Sequence, residues 1–120
     1  MKNYVIALAG AAAIWMSGPA ASADLAAGKA AWEKFACASC HGADAKTSVL
    51  PIYPIIAGQH EDFLRHALVA YKRGQAGAPS TANVRKNAVM GAMAAQLSDA
   101  DIRNLAAWLA SLPSPLGVRK

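Results

Sequence analysis

Apolar residues recur every three to four positions in three stretches of this chain of 120 residues, which is the period of an α-helix. The first stretch, residues 25–36, is rich in Ala and predicts a helix with one crowded face. The second stretch, residues 61–73, starts with two acidic residues and is followed by Gly74, in agreement with the helix dipole and a glycine stop. The inner faces would be formed by Leu25, Gly28, Trp32 and Phe35 in the first helix and by Phe63, Leu64, Ala67, Leu68 and Tyr71 in the second.

The third stretch carries the clearest boundary signals. Ser98 followed by Asp101 predicts a capping box at the start of the helix. Leu97 and Ile102 lie on either side of this cap, in the positions of a hydrophobic staple. Pro113 then ends the helix. The inner face would consist of Ile102, Leu105, Ala106, Leu109 and Leu112.

The regions between these helices contain Gly, Pro and short polar residues. Residues 37–59 and 75–87 therefore predict loops. No stretch alternates apolar and polar residues over the length of a strand, and no internal repeat occurs. The pattern predicts an all-α fold with long loops between its helices.

The start of the chain has the three regions of a secretory signal peptide. Lys2 supplies a positive start, residues 5–16 form an apolar stretch, and residues 21–23 are small enough for cleavage. The apolar stretch is too short to span a bilayer, which takes about 20 residues. We therefore expect residues 1–23 to be removed, leaving an exported domain, residues 24–120, with no transmembrane span.

The expected mature domain is small and poor in bulky side chains. Of its 97 residues, 22 are Ala and 13 are Leu or Ile, so its helices bury few methylene groups. This composition excludes a disordered or a collagen-like chain. Two cysteines are too few for a disulfide-dense fold. We expect a further group to fill the interior.

The strongest chemical signal is the sequence Cys37-Ala38-Ser39-Cys40-His41. Two thiols three residues apart on a helical turn can each form a thioether with a vinyl group of haem, and the next residue places an imidazole under the iron. The motif predicts one covalently bound haem c, attached through Cys37 and Cys40, with His41 as an axial ligand of the iron.

Three other interpretations of the two cysteines are open, although each fits less well. A structural zinc site needs four ligands and would have to recruit His60 or His66, whose spacing matches no usual half-site. A thioredoxin-type dithiol needs a βαβ context, which the pattern lacks. A disulfide between Cys37 and Cys40 would close a very short loop and stabilise the fold little.

With this motif, the chain resembles the class I c-type cytochromes, and more closely the small periplasmic bacterial monohaem type that is similar to the domains of dihaem cytochromes c. The resemblance covers about residues 28–112 and keeps the order and spacing of the family's segments. It implies a class I cytochrome c fold in the periplasm, with three to four helices and long loops wrapped around one covalently bound haem. The matching segments are Cys37-Ala38-Ser39-Cys40-His41-Gly42, Ile55-Ile56-Ala57-Gly58-Gln59, Tyr71-Lys72-Arg73-Gly74, residues 90–101 and Leu105-Ala106-Ala107-Trp108.

The resemblance also implies two details of packing. In the family, the first and last helices cross closely, with a Gly and an aromatic residue against a Leu and an aromatic residue. A proline carbonyl in the loop after the motif accepts a hydrogen bond from the axial His ring. Pro51 is the expected match for that proline, and Pro54 is the alternative. The residues expected at the helix crossing are Gly28, Trp32, Leu105 and Trp108.

The second axial ligand has to come from elsewhere in the chain. In the resembling domains, the ligating Met lies eight residues before the Ser that caps the last helix, and this position is Met90 here. Met93 is the alternative, although a Met at helical spacing is more typical of core packing. His60 and His66 also stay open, because an imidazole is an equally competent axial ligand. A thioether would raise the reduction potential relative to a second imidazole.

These ligands imply an electron-transfer protein rather than an enzyme, because an iron with both axial positions filled has no site for a substrate. The first hypothesis is a periplasmic single-electron carrier. The alternative is the cytochrome c subunit of a periplasmic dehydrogenase complex, such as a flavocytochrome c sulfide dehydrogenase. A third hypothesis is a ligand-binding or peroxidase haem with a vacant sixth position. The chain would be a monomer or a subunit of a heteromeric dehydrogenase.

The net positive charge of the chain predicts which kind of surface its partners have. The formal net charge is +5 for the whole sequence and +4 for residues 24–120. Complementary charge speeds encounter, so the donors and acceptors would be redox proteins with acidic surfaces. A solvated basic face would explain the same charge, and nucleic-acid binding is not expected of an exported protein with scattered charge. The basic residues expected near the haem edge are Lys46, Lys72, Arg73, Arg85 and Lys86.

Overall fold

The computed structural model describes residues 22–116, and the predicted signal peptide lies outside them except for its last two residues. Within this range all regular structure is helical, and no strand is present, which confirms the all-α class. We number the α-helices in chain order. They are α1 (Leu25–Lys34), α2 (Ala38–His41), α3 (Glu61–Gln75), α4 (Ala88–Ala95) and α5 (Asp99–Ser111), with a 3₁₀ turn at Ser80–Ala82.

The helices differ from the prediction in four places, the first being α2, which lies inside the predicted loop of residues 37–59. Helix α1 ends at Lys34, and Ala36 adopts a left-handed conformation with φ of 52° that turns the chain away from the helix axis. Helix α3 continues past Gly74 to Gln75, so this glycine lies within the helix. Helix α4 was not predicted, because its residues are almost all Ala, Met and Gly and have no polar face.

The close crossing of α1 and α5 is confirmed. A Cβ on Gly28 would lie 2.2 Å from the carbonyl oxygen of Asn104 and 2.6 Å from Cβ of Trp108, so only glycine allows this approach. The rings of Trp32 and Trp108 pack with centroids 5.4 Å apart. The backbone N–H of Asp24 donates to Oδ1 of Asn104 at 3.0 Å. These contacts join the two ends of the described chain.

The predicted start of α5 is also confirmed. The Ser98 side chain accepts a hydrogen bond from the backbone N–H of Asp101, and the Asp101 carboxylate accepts one from the backbone N–H of Ser98. Leu97 and Ile102 are buried on either side of this box. Leu112 is extended, as the residue before a proline must be, and the helix stops there.

The core of the described residues is built mainly from small side chains. Seven of its thirteen buried hydrophobic residues are Ala. Half of the larger members come from α5, which packs against both α1 and α3. None of the helices among residues 22–116 combines the length and the apolar character that crossing a bilayer requires. The larger buried residues are Trp32, Leu64, Leu97, Ile102, Leu105 and Leu109.

Candidate functional site

The cysteine motif occupies the turn that follows α1 and the short helix α2. The N–H of Cys37 donates to the carbonyl oxygen of Trp32 at 3.1 Å, which ties the start of the motif to α1. The N–H groups of Cys40 and His41 both point to the carbonyl oxygen of Cys37, at 3.3 and 3.1 Å. Both cysteines are free thiols and half-buried. One helical turn therefore presents two thiols and an imidazole together.

His41 is buried, and its surroundings fix its ring. Nδ1 of His41 lies 3.2 Å from the carbonyl oxygen of Pro54, a contact in which the ring nitrogen must be the donor because a carbonyl only accepts. The ring packs between Trp32 and Tyr53, with a centroid distance of 6.2 Å to each. A proton held on Nδ1 leaves the Nε2 lone pair available to a metal ion.

The assignment of this carbonyl to Pro51 is wrong, and Pro54 supplies it. The reason is a turn between the motif and this loop, in which the N–H of Tyr53 donates to the carbonyl oxygen of Leu50 at 3.1 Å. Pro51 lies inside that turn and is exposed. The carbonyl group that reaches the imidazole of His41 therefore lies three residues further along the chain, at Pro54.

The loop between His41 and Pro54 is held by two groups of hydrogen bonds. The Asp44 carboxylate accepts from the N–H of Lys46 at 3.0 Å and from the N–H and hydroxyl of Thr47, both at 2.7 Å. These bonds, chiefly those from the backbone N–H groups, lower the pKa of Asp44 to about 2. The carbonyl oxygen of Ala45 accepts from the N–H groups of Ile56 and Ala57, each at 3.0 Å. The loop that carries Pro54 is closed at its base by these bonds.

The surroundings of the two cysteines bear on the zinc and dithiol interpretations. Burial raises the pKa of the Cys37 thiol. No group of three His, Cys, Asp or Glu side chains in residues 22–116 is arranged to hold a metal ion. Within this range, therefore, no further side chain completes a zinc site with the two cysteines, and no strand supplies the βαβ context of a thioredoxin-type dithiol.

The residues present do fit a haem. Its two vinyl groups need two nearby thiols, and its iron needs an imidazole with a free Nε2, which the motif provides. The N–H of Val49 donates to the carbonyl oxygen of Cys40 at 3.1 Å, so an apolar segment lies directly against the motif. Val49 and Ile52 are 59% and 78% exposed. Packing of these exposed apolar side chains against a haem macrocycle would be favourable, because it removes apolar surface from water.

The candidates for the second axial ligand lie in different environments. Met90 is half-buried in the first turn of α4, and its N–H donates to the side-chain oxygen of Asn87, which caps the helix, at 2.9 Å. The sulfur of Met93 lies 3.8 Å from Nε2 of Gln96 and accepts a weak hydrogen bond. His66, in contrast, is exposed on α3. Met90 and Met93 are both half-buried, so the assignment of Met90 as the axial ligand stays a prediction.

The predicted basic residues do not form one free surface. Nζ of Lys72 donates to the carbonyl oxygen of Leu97 at 2.5 Å and lies 3.9 Å from the Asp99 carboxylate, so Lys72 joins α3 to the start of α5. Arg85 stacks on two aromatic rings of α3. Arg73 and Lys86 are exposed. Two of the five expected docking residues therefore have contacts within the fold.

Two residues that the sequence analysis left outside the site have contacts there. Tyr53 flanks the His41 ring, and its position immediately before Pro54 would have marked it once the correct proline was known. Ala45 accepts two hydrogen bonds in a left-handed conformation with φ of 57°. No sequence signal marks this alanine, because such a conformation usually indicates Gly or Asn.

Comparison with known proteins identifies the family. The sequence profile of the cytochrome c family, described as "Cytochrome c", matches residues 25–113. The chain is 34% identical over 119 residues to the thiosulfate dehydrogenase electron acceptor of Stutzerimonas stutzeri (strain A1501), a match that covers 96% of this chain and 51% of that protein. It is 36% identical over 96 residues to cytochrome c-554(547) of Halothiobacillus neapolitanus, covering 74% of this chain and 97% of that protein.

A solved structure agrees with these sequence matches. The fold is similar to reduced recombinant cytochrome c4 from Pseudomonas stutzeri, with a TM-score of 0.66 and 35% sequence identity. The alignment covers 77% of this chain and 47% of that chain. This chain thus spans about half the length of cytochrome c4 and of the thiosulfate dehydrogenase electron acceptor, and nearly all of cytochrome c-554(547). The chain belongs to the cytochrome c family, whose members are electron-transfer proteins with haem c as their cofactor.

Proposed function

We propose that this chain carries single electrons through one haem c. In this proposal, Cys37 and Cys40 form the thioethers, and His41 and Met90 are the axial ligands. The observation that carries it is the contact between Nδ1 of His41 and the Pro54 carbonyl, since this contact orients the ring and keeps Nε2 free. Bound haem supplies the Fe(III)/Fe(II) couple.

The roles of the chain's own residues are to fix the haem and to keep its coordination closed. Trp32 and Tyr53 hold the imidazole of His41 between them, which limits its rotation. Met90 supplies a thioether, which favours the reduced state relative to a second imidazole. With both axial positions taken by these side chains, a bound haem would leave no site at its iron for a substrate oxygen or a peroxide. The domain transfers electrons without bond chemistry.

The proposed location is the periplasm, and the proposed partners are redox proteins. Residues 1–23 have the pattern of a signal peptide, which supports export. The exposed Arg73 and Lys86 belong to a domain of positive formal charge, which favours partners with acidic surfaces. If such docking occurs, electron-transfer rates fall as salt is added, because screening weakens steering.

A second candidate is favoured by one of the comparisons. A match of 34% identity over 96% of this chain to a thiosulfate dehydrogenase electron acceptor supports a role as the acceptor domain or cytochrome subunit of a dehydrogenase. One such complex would be a flavocytochrome c sulfide dehydrogenase, with this chain as its cytochrome subunit. Gel filtration of the native extract separates the candidates: a free carrier elutes near the mass of one domain, and a subunit elutes together with its dehydrogenase.

The primary test is to count haems and electrons in the purified protein. We expect the intact mass of the protein, made in cells that mature c-type cytochromes, to equal the chain from residue 24 plus one haem. A reductive titration should then take up one electron per chain. A mass without haem, or an uptake of two electrons, would contradict the proposal. Ser39→Ala is the matched control, because it alters the motif and leaves its three functional side chains.

A further inference from the structure

We infer that Arg85 is a positioning residue for the Met90 thioether: it fastens the segment that leads into α4 onto α3, and so limits how readily another ligand replaces Met90. This inference rests on the proposed assignment of Met90 as an axial ligand. It concerns a residue that neither touches the motif nor belongs to it.

The side chain of Arg85 stacks on two rings of α3. Its guanidinium carbon lies 5.3 Å from the ring centroid of Phe63 and 5.6 Å from that of Tyr71. Phe63 and Tyr71 are eight residues apart and share one face of the helix, so the guanidinium bridges two turns of α3. A planar guanidinium can stack on aromatic faces, which an ammonium group does less well.

The backbone of Arg85 is seated on the same helix. Its N–H donates to the carbonyl oxygen of Ala70 at 3.0 Å. Its carbonyl oxygen occupies the space beside Gly74, where a Cβ would lie 2.2 Å from it. This approach explains a glycine inside α3, since any larger residue would push the segment away. Residue 85 is thus fixed to α3 through both its side chain and its backbone.

This anchor is close to Met90 along the chain. Asn87 follows two residues later, and its side-chain oxygen accepts from the N–H groups of Val89 and Met90 at 3.1 and 2.9 Å. On the other side of Met90, Gly91 is buried against Gln75, where a Cβ would lie 2.7 Å from the side-chain oxygen. The first turn of α4 therefore lies between the Arg85 anchor and a close approach to α3.

In this inference, an external ligand reaches the iron when the first turn of α4 moves away from α3 and takes the Met90 thioether with it. An external ligand that binds only the opened form reports how often that form is populated. Loss of the Arg85 contacts removes one of the restraints on this movement. The opened form then becomes more frequent, while the crossing of α1 and α5 stays as it was.

The test uses the ferric holoprotein and cyanide as the external ligand. We expect Arg85→Gln to bind cyanide about three to ten times faster than the wild type at subsaturating cyanide, a factor set by the usual strength of exposed cation–π contacts. Arg65→Gln is the matched control, because Arg65 is an exposed arginine on α3 whose charge is lost in the same way. We expect its cyanide rate to stay within about twofold of the wild type, as is usual for a surface ion-pair residue.

A second variant keeps the charge and removes one ring. Phe63→Leu leaves Arg85 and the net charge in place, and we expect it to raise the cyanide rate in the same direction by a smaller factor. Denaturant unfolding of each holoprotein variant accompanies the kinetics. If Arg85 is a positioning residue, the factor by which cyanide binding becomes faster exceeds the factor by which the global unfolding equilibrium changes. The reason is that only the local opening is affected.

The outcomes separate this inference from the proposed function. If Arg85→Gln and Phe63→Leu bind cyanide no faster than Arg65→Gln, the positioning role is overturned while the Met90 assignment stands. If cyanide binding becomes faster only by the factor expected from the loss of global stability, the positioning role is also overturned. If Met90→Ala keeps the Met-to-iron charge-transfer band, the ligand assignment itself is wrong and the inference fails with it.

Discussion

The two sides of the proposed haem site are built in different ways. On the His41 side, the ligand follows two cysteines in the chain, its ring is bonded to Pro54, and the intervening loop closes on itself through Ala45. On the Met90 side, the ligand lies in a helix of small residues, held by the cap at Asn87 and by packing on α3. The first arrangement is fixed by backbone hydrogen bonds, and the second by helix packing.

If His41 and Met90 both bind the iron as proposed, one small domain holds its two ligands by different means. The His41 side shares Trp32 with the crossing of α1 and α5, so a disturbance there acts on the whole fold. The Met90 side meets α3 through Gly91 and through the Arg85 segment, and neither contact involves a residue of that crossing. We therefore expect mutations on the two sides to affect different measurements.

The largest effect should come from the loss of both thiols. In the variant Cys37→Ser with Cys40→Ser, we expect no covalent haem and the loss of most helical far-UV circular dichroism. The reason is that the buried core is more than half Ala and cannot offset the conformational entropy of folding without the porphyrin. Native-like helicity in the haem-free variant would show that the protein alone builds the core.

The second largest effect is expected from a mutation at the crossing of α1 and α5. We expect Gly28→Ala to lower the free energy of unfolding by about 1–3 kcal/mol, the usual cost of overpacking, although Ala favours helices over Gly. The added Cβ would collide with the backbone of Asn104 and with Trp108. Denaturant unfolding of the holoprotein measures the change. The rate of cyanide binding should stay near that of the wild type once the stability loss is taken into account.

A Gly→Ala mutation on the Met90 side should affect cyanide binding more than global stability, which is the reverse of the result expected for Gly28→Ala. We expect Gly74→Ala to raise the cyanide rate by a factor of about three to ten, because its Cβ displaces the Arg85 carbonyl and loosens the exposed ring contacts. Global stability should change less than in Gly28→Ala, because the added Cβ meets only the backbone of Arg85, whereas at Gly28 it meets both Asn104 and Trp108 in the crossing of α1 and α5. Equal effects of the two glycine variants on both measurements would remove the distinction between the two sides.

The smallest effect concerns the loop on the His41 side. Hydrogen bonds to Asp44 lower its pKa from 3.8 to about 2, so its contribution to stability is present above about pH 4 and is lost as the pH falls through 2. We expect Asp44→Asn to be less stable than the wild type at neutral pH and the difference to shrink between pH 4 and pH 2. Urea unfolding across this range measures it, with Asp62→Asn as the control for loss of an exposed carboxylate.

The sequence predicted those parts of the fold that local chemistry determines. The start of α5 followed from Ser98 and Asp101, because a capping box needs only residues three positions apart. The crossing at Gly28 came from the family resemblance, and the structure explains it by the close approach of Asn104. The contiguous cysteine motif was likewise visible, although the roles of its side chains stay predictions.

The features that sequence reasoning missed depend on contacts between distant residues. Helix α4 has no polar face to produce a periodic signal, and it forms because it packs on α3. Pro51 and Pro54 are equivalent in sequence, and only the turn at Leu50 decides which carbonyl reaches His41. The stacking of Arg85 required knowledge of where the loop returns to α3.

The most direct test of the account is the optical spectrum of the ferric holoprotein in three forms: wild type, Met90→Ala and Met93→Ala. We predict a Met-to-iron charge-transfer band in the wild type that persists in Met93→Ala and is absent from Met90→Ala. Persistence of the band in Met90→Ala, or its loss in Met93→Ala alone, would contradict the division of the site into a fixed His41 side and a Met90 side held by α4.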